Sequence, residues 1–110
     1  MALFRRRRRA GGSPGDRPAN RADIEHLEQF VATRRGVEAF IEPRTTVTET
    51  TVMLIAHDGE WTRRRIDGPE GARRLAHRLG IPVYDVALVG YPQRMRDYNE
   101  RRKRAAGETR

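Results

Sequence analysis

Val52-Met53-Leu54-Ile55-Ala56-His57-Asp58-Gly59-Glu60-Trp61-Thr62-Arg63-Arg64-Arg65 decides the fold. An apolar run, an Asp-Gly pair and an alternating run follow one another without a break. Asp-Gly between two strand patterns is the strongest short-range signal for a β-hairpin, since a two-residue type I′ turn needs positive φ at both central positions. That turn predicts a register: His57 opposite Glu60, Ala56 opposite Trp61, Ile55 opposite Thr62, and Leu54 opposite Arg63. Trp61, Arg63 and Arg65 then share one face, and Thr62, Arg64 and Ile66 the other. In this register Trp61 reads as a lid over the helix that follows, because Trp buries much area. Upstream, Thr46–His57 reads as one strand, polar at Thr48-Glu49-Thr50-Thr51 and apolar on both faces from Val52 to Ala56.

Working outward, Val37–Glu42 alternates, with Val37, Ala39 and Ile41 on one face and Glu38, Phe40 and Glu42 on the other. Pro43 closes that strand. Before it, Ile24, Leu27, Phe30 and Val31 make one helical stripe, with Asn20 or Asp23 as cap and Gly36 as stop. After the hairpin, Asp67 and Pro69 open a second helix whose stripe is Ala72, Leu75, Ala76 and Leu79, and Gly80 and Pro82 end it. Val83–Val89 reads as a strand. Gly90-Tyr91-Pro92 turns the chain into a last helix from Gln93 to about Arg104, with Met95 and Tyr98 as its apolar side. Asp97 and Arg101, and Glu100 and Arg104, stand at the favourable i, i+4 spacing. The fold class is α+β in the order α-β-β-β-α-β-α. One mainly antiparallel sheet with helices on one face is expected.

The chain has 110 residues and a net charge of +8, the size of a single small domain. The charge is uneven. Residues 1–22 carry seven Arg and one acid, and residues 91–110 carry six Arg, Lys103 and three acids, while 23–90 is acidic by two. Arg5–Arg9 is followed by Gly11-Gly12-Ser13-Pro14-Gly15, a composition that predicts a disordered tail over 1–22. The domain then spans 23–104 with a basic C-terminal helix, and 105–110 is expected to be disordered. The single Lys among 22 Arg fits codon bias, which does not account for the clustering of Arg at the ends.

With no Cys, there is no disulfide, thiolate catalyst or Cys-based zinc site. The one Ser and the one Lys, Ser13 and Lys103, are peripheral, which excludes a core Ser nucleophile, Schiff-base chemistry and a P-loop. No dinucleotide fingerprint follows a strand, so no cofactor is expected. No apolar run is long enough to span a bilayer, and Ala2-Leu3-Phe4 ahead of the Arg run with no apolar stretch behind it is not expected to act as a secretory signal. A cytoplasmic location is expected.

The candidate sites are few. His57, Asp58 and Glu60 at the hairpin tip are the one arrangement that could hold a divalent ion, although turn chemistry by itself calls for Asp58. Arg63, Arg64 and Arg65 form either a phosphate-gripping patch or a charged edge that blocks aggregation. Arg5, Arg6, Arg7, Arg8 and Arg9 point to a polyanion, since no folded role calls for five adjacent like charges.

Two resemblances bear on the fold. Residues 23–80 resemble a double-stranded-RNA-binding domain in their α-β-β-β-α order. That family presents lysines at the start of the second helix, whereas this chain has Pro69-Glu70-Gly71-Ala72 there, so the likeness extends to topology and not to function. The second rests on Val37-Glu38-Ala39-Phe40-Ile41-Glu42-Pro43, His57–Arg65, Ile81-Pro82-Val83-Tyr84-Asp85 and Val89–Tyr98. These segments resemble a family of small uncharacterised actinobacterial proteins, over about residues 23–100. Its members often carry an oxidoreductase label, which implies a small redox accessory protein and transfers no active site. The residues themselves favour a non-enzymatic accessory protein whose Arg tails engage nucleic acid or a ribonucleoprotein. The alternatives are a peripheral protein on an anionic membrane surface, with Ala2-Leu3-Phe4 as apolar tip, the redox accessory, and a homodimer formed through a sheet edge.

Overall fold

The computed structural model describes residues 20–108. Helix α1 (Arg21–Thr33) starts where the Asn20 side chain accepts the Asp23 backbone N–H at 2.8 Å, which satisfies one of the free donors of the first turn. Its stripe packs inward, with Leu27 and Phe30 buried. Strands β1 (Glu38–Glu42), β2 (Thr51–Ile55) and β3 (Trp61–Arg65) form the antiparallel meander. Helix α2 (Gly68–Leu79) has Pro69 in its first turn and stops at Gly80, whose φ is 70°. It carries the chain over the sheet to β4 (Val83–Asp85), which joins β1 in parallel. The sheet order is β3-β2-β1-β4, so the mixed pair lies at the edge opposite the hairpin.

The α+β class and the expected element order hold, with one short helix added. Residues 86–89 are not strand. Asp85 ends β4 and accepts the Ala87 N–H at 2.9 Å, which caps the helix α3 (Val86–Val89). The apolar residues that suggested a strand, Leu88 and Val89, are left in solvent. Strand β2 also starts later than expected. Thr45 Oγ1 accepts the N–H groups of Val47 and Thr48, at 3.2 and 3.0 Å, and the backbone turns there. A side-chain hydroxyl that takes backbone donors competes with strand pairing. The last helix, α4 (Gln93–Glu108), runs four residues past Arg104, through a segment expected to be disordered.

The largest correction lies in the hairpin. Ala56 and Glu60 pair (N to O, 2.8 Å), the Gly59 N–H bonds the Ala56 carbonyl at 2.9 Å, and only glycines among the described residues have positive φ. A type I′ turn would need positive φ at Asp58 as well. The chain instead forms a three-residue loop, His57–Gly59, with Gly59 at φ 94° and the Asp58 carboxylate accepting the Glu60 N–H at 3.0 Å. The observed register is Ile55 opposite Trp61, Leu54 opposite Thr62 and Met53 opposite Arg63. One extra loop residue sends every β3 side chain to the face opposite the expected one.

The sheet therefore has two covered faces. On one, α1 and α2 pack over Val37, Ala39, Ile41, Val52, Leu54 and Ile66. On the other, Phe40, Met53 and Ile55 are covered by Trp61, Tyr91 and Met95, the last from the first turn of α4. Helices on one face describe α1 and α2 only. Trp61 covers the α4 side of the sheet and is no lid over α2. Arg94 fastens α4 down, donating to the Ala56 carbonyl at 3.0 Å and to Glu38 at 2.7 Å. Among the described residues no helix is long and apolar enough to cross a membrane.

Gly59 has no space for a side chain. A Cβ there would lie 2.0 Å from the Arg94 carbonyl oxygen, whereas at Gly80 nothing lies within 4 Å. Gly80→Ala is therefore expected to cost about 1 kcal/mol, from the left-handed backbone alone. Gly59→Ala adds a backbone clash and should cost at least about 2 kcal/mol. Urea unfolding midpoints measure both, and equal losses would contradict the close approach of α4 to the loop.

Candidate nucleic-acid interface

Arg5–Arg9 lies outside the described residues. The structure separates Arg63, Arg64 and Arg65 across two faces and gives each a carboxylate. Arg63 donates Nε and Nη2 to the two oxygens of Glu42, at 2.8 and 2.9 Å. Arg65 Nε lies 3.3 Å from Glu49, and Arg64 Nε 3.5 Å from Asp23. A phosphate arriving here would have to displace a partner already in place. The triplet ties strands and α1 together and does not form one free basic patch.

Glu42 is the hub of this arrangement. Besides Arg63, it accepts the Thr51 hydroxyl at 2.6 Å and the Tyr91 hydroxyl. One carboxylate thus joins β1, β2, β3 and the segment leading into α4. Burial pushes its pKa up, but the hydrogen bonds from Arg63, Thr51 and Tyr91 outweigh burial and hold it below the usual carboxylate range. Burial and the bond to Glu42 raise the Tyr91 phenol. On the other face, His26 Nε2 lies 2.6 Å from Thr62 Oγ1, and burial with the nearby Arg64 and Arg34 lowers its pKa.

At the hairpin tip two of the three candidate ligands have other partners. Glu60 is held by Arg34, Nε at 3.2 Å and Nη2 at 2.7 Å, and the Asp58 carboxylate is turned to the Glu60 backbone N–H. His57 is exposed. No group of three or more His, Cys, Asp or Glu side chains able to hold a metal ion is present among the described residues. The ion pair engages Glu60 and the turn engages Asp58.

The free charge lies elsewhere. Arg101, Arg102, Lys103 and Arg104 are all exposed on the second half of α4. Among the described residues none of the four has a carboxylate within 4.0 Å. The spacing of Asp97 and Arg101 suggested an ion pair. In the structure Asp97 accepts from Gln93 Nε2 at 3.0 Å, and Arg101 Nη2 donates to the Asp58 carbonyl at 3.0 Å. Of the four, Arg102 lines a groove of about 350 Å³, together with Glu60, Trp61, Tyr98 and Asn99. The indole Nε1 donates to Asn99 Oδ1 at 2.8 Å, and Arg102 Nη1 donates to the Tyr98 hydroxyl at 3.1 Å. Sequence reasoning missed this grouping because it placed Trp61 on the opposite face. Gly59, read as the left-handed residue of a three-residue loop, is the signal that would have found it.

Glu42→Gln removes the charge from the hub while keeping its shape. We expect a loss of about 2 kcal/mol at neutral pH, the scale of hydrogen bonds to a charged group. Because the folded pKa is depressed, the contribution of Glu42 is present above the unfolded value of about 4.3 and is lost as pH falls through the folded one. The stability gap between wild type and variant should therefore narrow as pH falls below about 4. A gap that stays constant under acid titration by circular dichroism would show that the Glu42 charge contributes nothing.

Comparison with known proteins brings no relative to bear on this interface: no family model, no curated protein and no solved structure matches the chain.

Proposed function

We propose that the protein is a binding or accessory protein that engages a polyanion, nucleic acid or a ribonucleoprotein surface, through its basic ends. The observation that carries this reading is the contrast in charge pairing. Arg34, Arg63, Arg64, Arg65, Arg74, Arg78 and Arg94 each meet a carboxylate from another part of the chain. Arg101–Arg104 do not, and their side chains stand in solvent along one helix. Paired arginines hold a fold together, whereas unpaired clustered ones create a field that attracts phosphates. The Arg5–Arg9 run adds five cations at the other end of the chain.

One observation favours a second reading. Leu88 is 84% exposed and Val89 57%, so a short apolar tip stands in solvent on a chain with basic ends. That combination suits an anionic membrane surface. Sedimentation with vesicles containing anionic lipid at physiological salt separates the readings, because vesicles that leave the protein in the supernatant exclude the membrane.

For the first reading the measurement is the salt dependence of binding to RNA and to DNA. Five arginines that neutralise about five phosphates give a slope of log K on log salt of about −4.5 on a duplex. The expected tail over 1–22 ends earlier in the structure, since Asn20 caps α1 and Arg21 opens it, so deleting residues 1–19 should remove most of that. Converting Arg101, Arg102, Lys103 and Arg104 to Gln should flatten the remainder by at least about 2. Affinity and slope unchanged in both variants would overturn the reading.

A further inference from the structure

We infer that the groove between the hairpin and α4 is a base-stacking site for single-stranded nucleic acid. The inference rests on the polyanion reading above and names the form of polyanion that the folded domain accepts. A single strand differs from a duplex in offering unstacked bases, and every base has a π face that an aromatic ring can cover. A site for it combines aromatic platforms with cations that follow the backbone. The groove has both: Trp61, Tyr98 and Arg102 line it, and Arg101 reaches the hairpin tip, where it donates to the Asp58 carbonyl.

The platforms are already in place. Trp61 is half-buried, packed with the Phe40, Met53 and Ile55 cluster, and its indole N–H is tied to Asn99. Tyr98 begins hard against the loop, since a Cβ on Gly59 would come within 2.8 Å of the Tyr98 Cβ. Two anchored rings lose little freedom when a base arrives, which favours binding. The guanidinium carbons of Arg101 and Arg102 lie 5.8 Å from the Tyr98 ring centroid and that of Arg63 lies 5.3 Å from the Trp61 centroid, so a base stacks by displacing a guanidinium that can turn to its phosphate.

The polar lining fits the same ligand. Asn99 spends its carbonyl oxygen on the indole N–H, which leaves its amide N–H groups to donate to the edge of a base. Glu60 also lines the groove, but Arg34 compensates its charge through two hydrogen bonds, so it repels a phosphate less than a bare carboxylate would. A duplex, with its bases stacked inside, could use the cations of α4 but not the rings.

Trp61 is the single tryptophan of the chain, so its emission reports on this groove alone. The test titrates the full-length protein with a short mixed-sequence RNA and with the same RNA annealed to its complement. The single strand is expected to quench Trp61 emission and the duplex to leave it unchanged. Tyr98→Ala should weaken single-strand binding about 10-fold and leave duplex binding within about 2-fold, whereas Tyr98→Phe, which keeps the ring, should bind as wild type does. If Tyr98→Ala fails to fold, the difference in quenching between single strand and duplex in the wild-type chain decides. Equal affinity for both RNAs with no quenching overturns the stacking site and leaves the polyanion reading standing. Binding to neither RNA at low salt overturns both, and binding to anionic vesicles alone assigns the basic ends to a lipid surface.

Discussion

The positive φ of Gly59 is the constraint from which the rest of the molecule follows. A residue with no Cβ lets the hairpin close with three loop residues, and it lets the Arg94 carbonyl of α4 come against the loop. The loop length sets the register of β3. The register puts Trp61 and Arg63 on the face with Phe40 and Met53, where α4 packs. The same close approach seats Tyr98 beside the hairpin tip. A loop one residue shorter would turn Trp61 toward α2 and leave α4 without its apolar cover.

Glu42 holds this arrangement from the opposite end of the sheet. Its four hydrogen bonds come from three elements that are distant in sequence, with Arg63 supplying two of them in a bidentate pair. Such a pair is stronger and more directional than a single neutral bond. It also removes Arg63 from any role at the surface. The same logic applies to Arg64 and Arg65, which answer Asp23 and Glu49 across the fold. An arginine-rich protein can thus be close to neutral over most of its surface. Among the described residues the folded core pairs its charges internally, and the arginines without a carboxylate collect on α4.

That division shapes what the protein can do. The described residues hold no metal-binding cluster, and the polar hub around Glu42 is occupied by its own neighbours. The groove at Trp61 and Tyr98 differs from both, because the arginines over its rings meet no carboxylate at Tyr98, where Arg101 and Arg102 lie 5.8 Å from the ring centroid.

The sequence by itself determined the element types, their order, and the helix signals at Asn20, Pro69 and Gly80, because capping, periodicity and turn chemistry act within a few residues. It also placed the two strand faces of Val37–Glu42 correctly, since alternation is a local property. Where it failed, two local signals competed or a distant partner decided. At Asp58-Gly59 two turn types fit the same pair, and the approach of Arg94 is a contact that no nearby residue announces. At Asp85 a capping carboxylate overrode an apolar run that looked like strand. The pairing of Arg63 with Glu42, and the lack of pairing at Arg101–Arg104, were equally illegible. Whether a charge is satisfied depends on distances between residues far apart in the chain, and only the tertiary structure sets those.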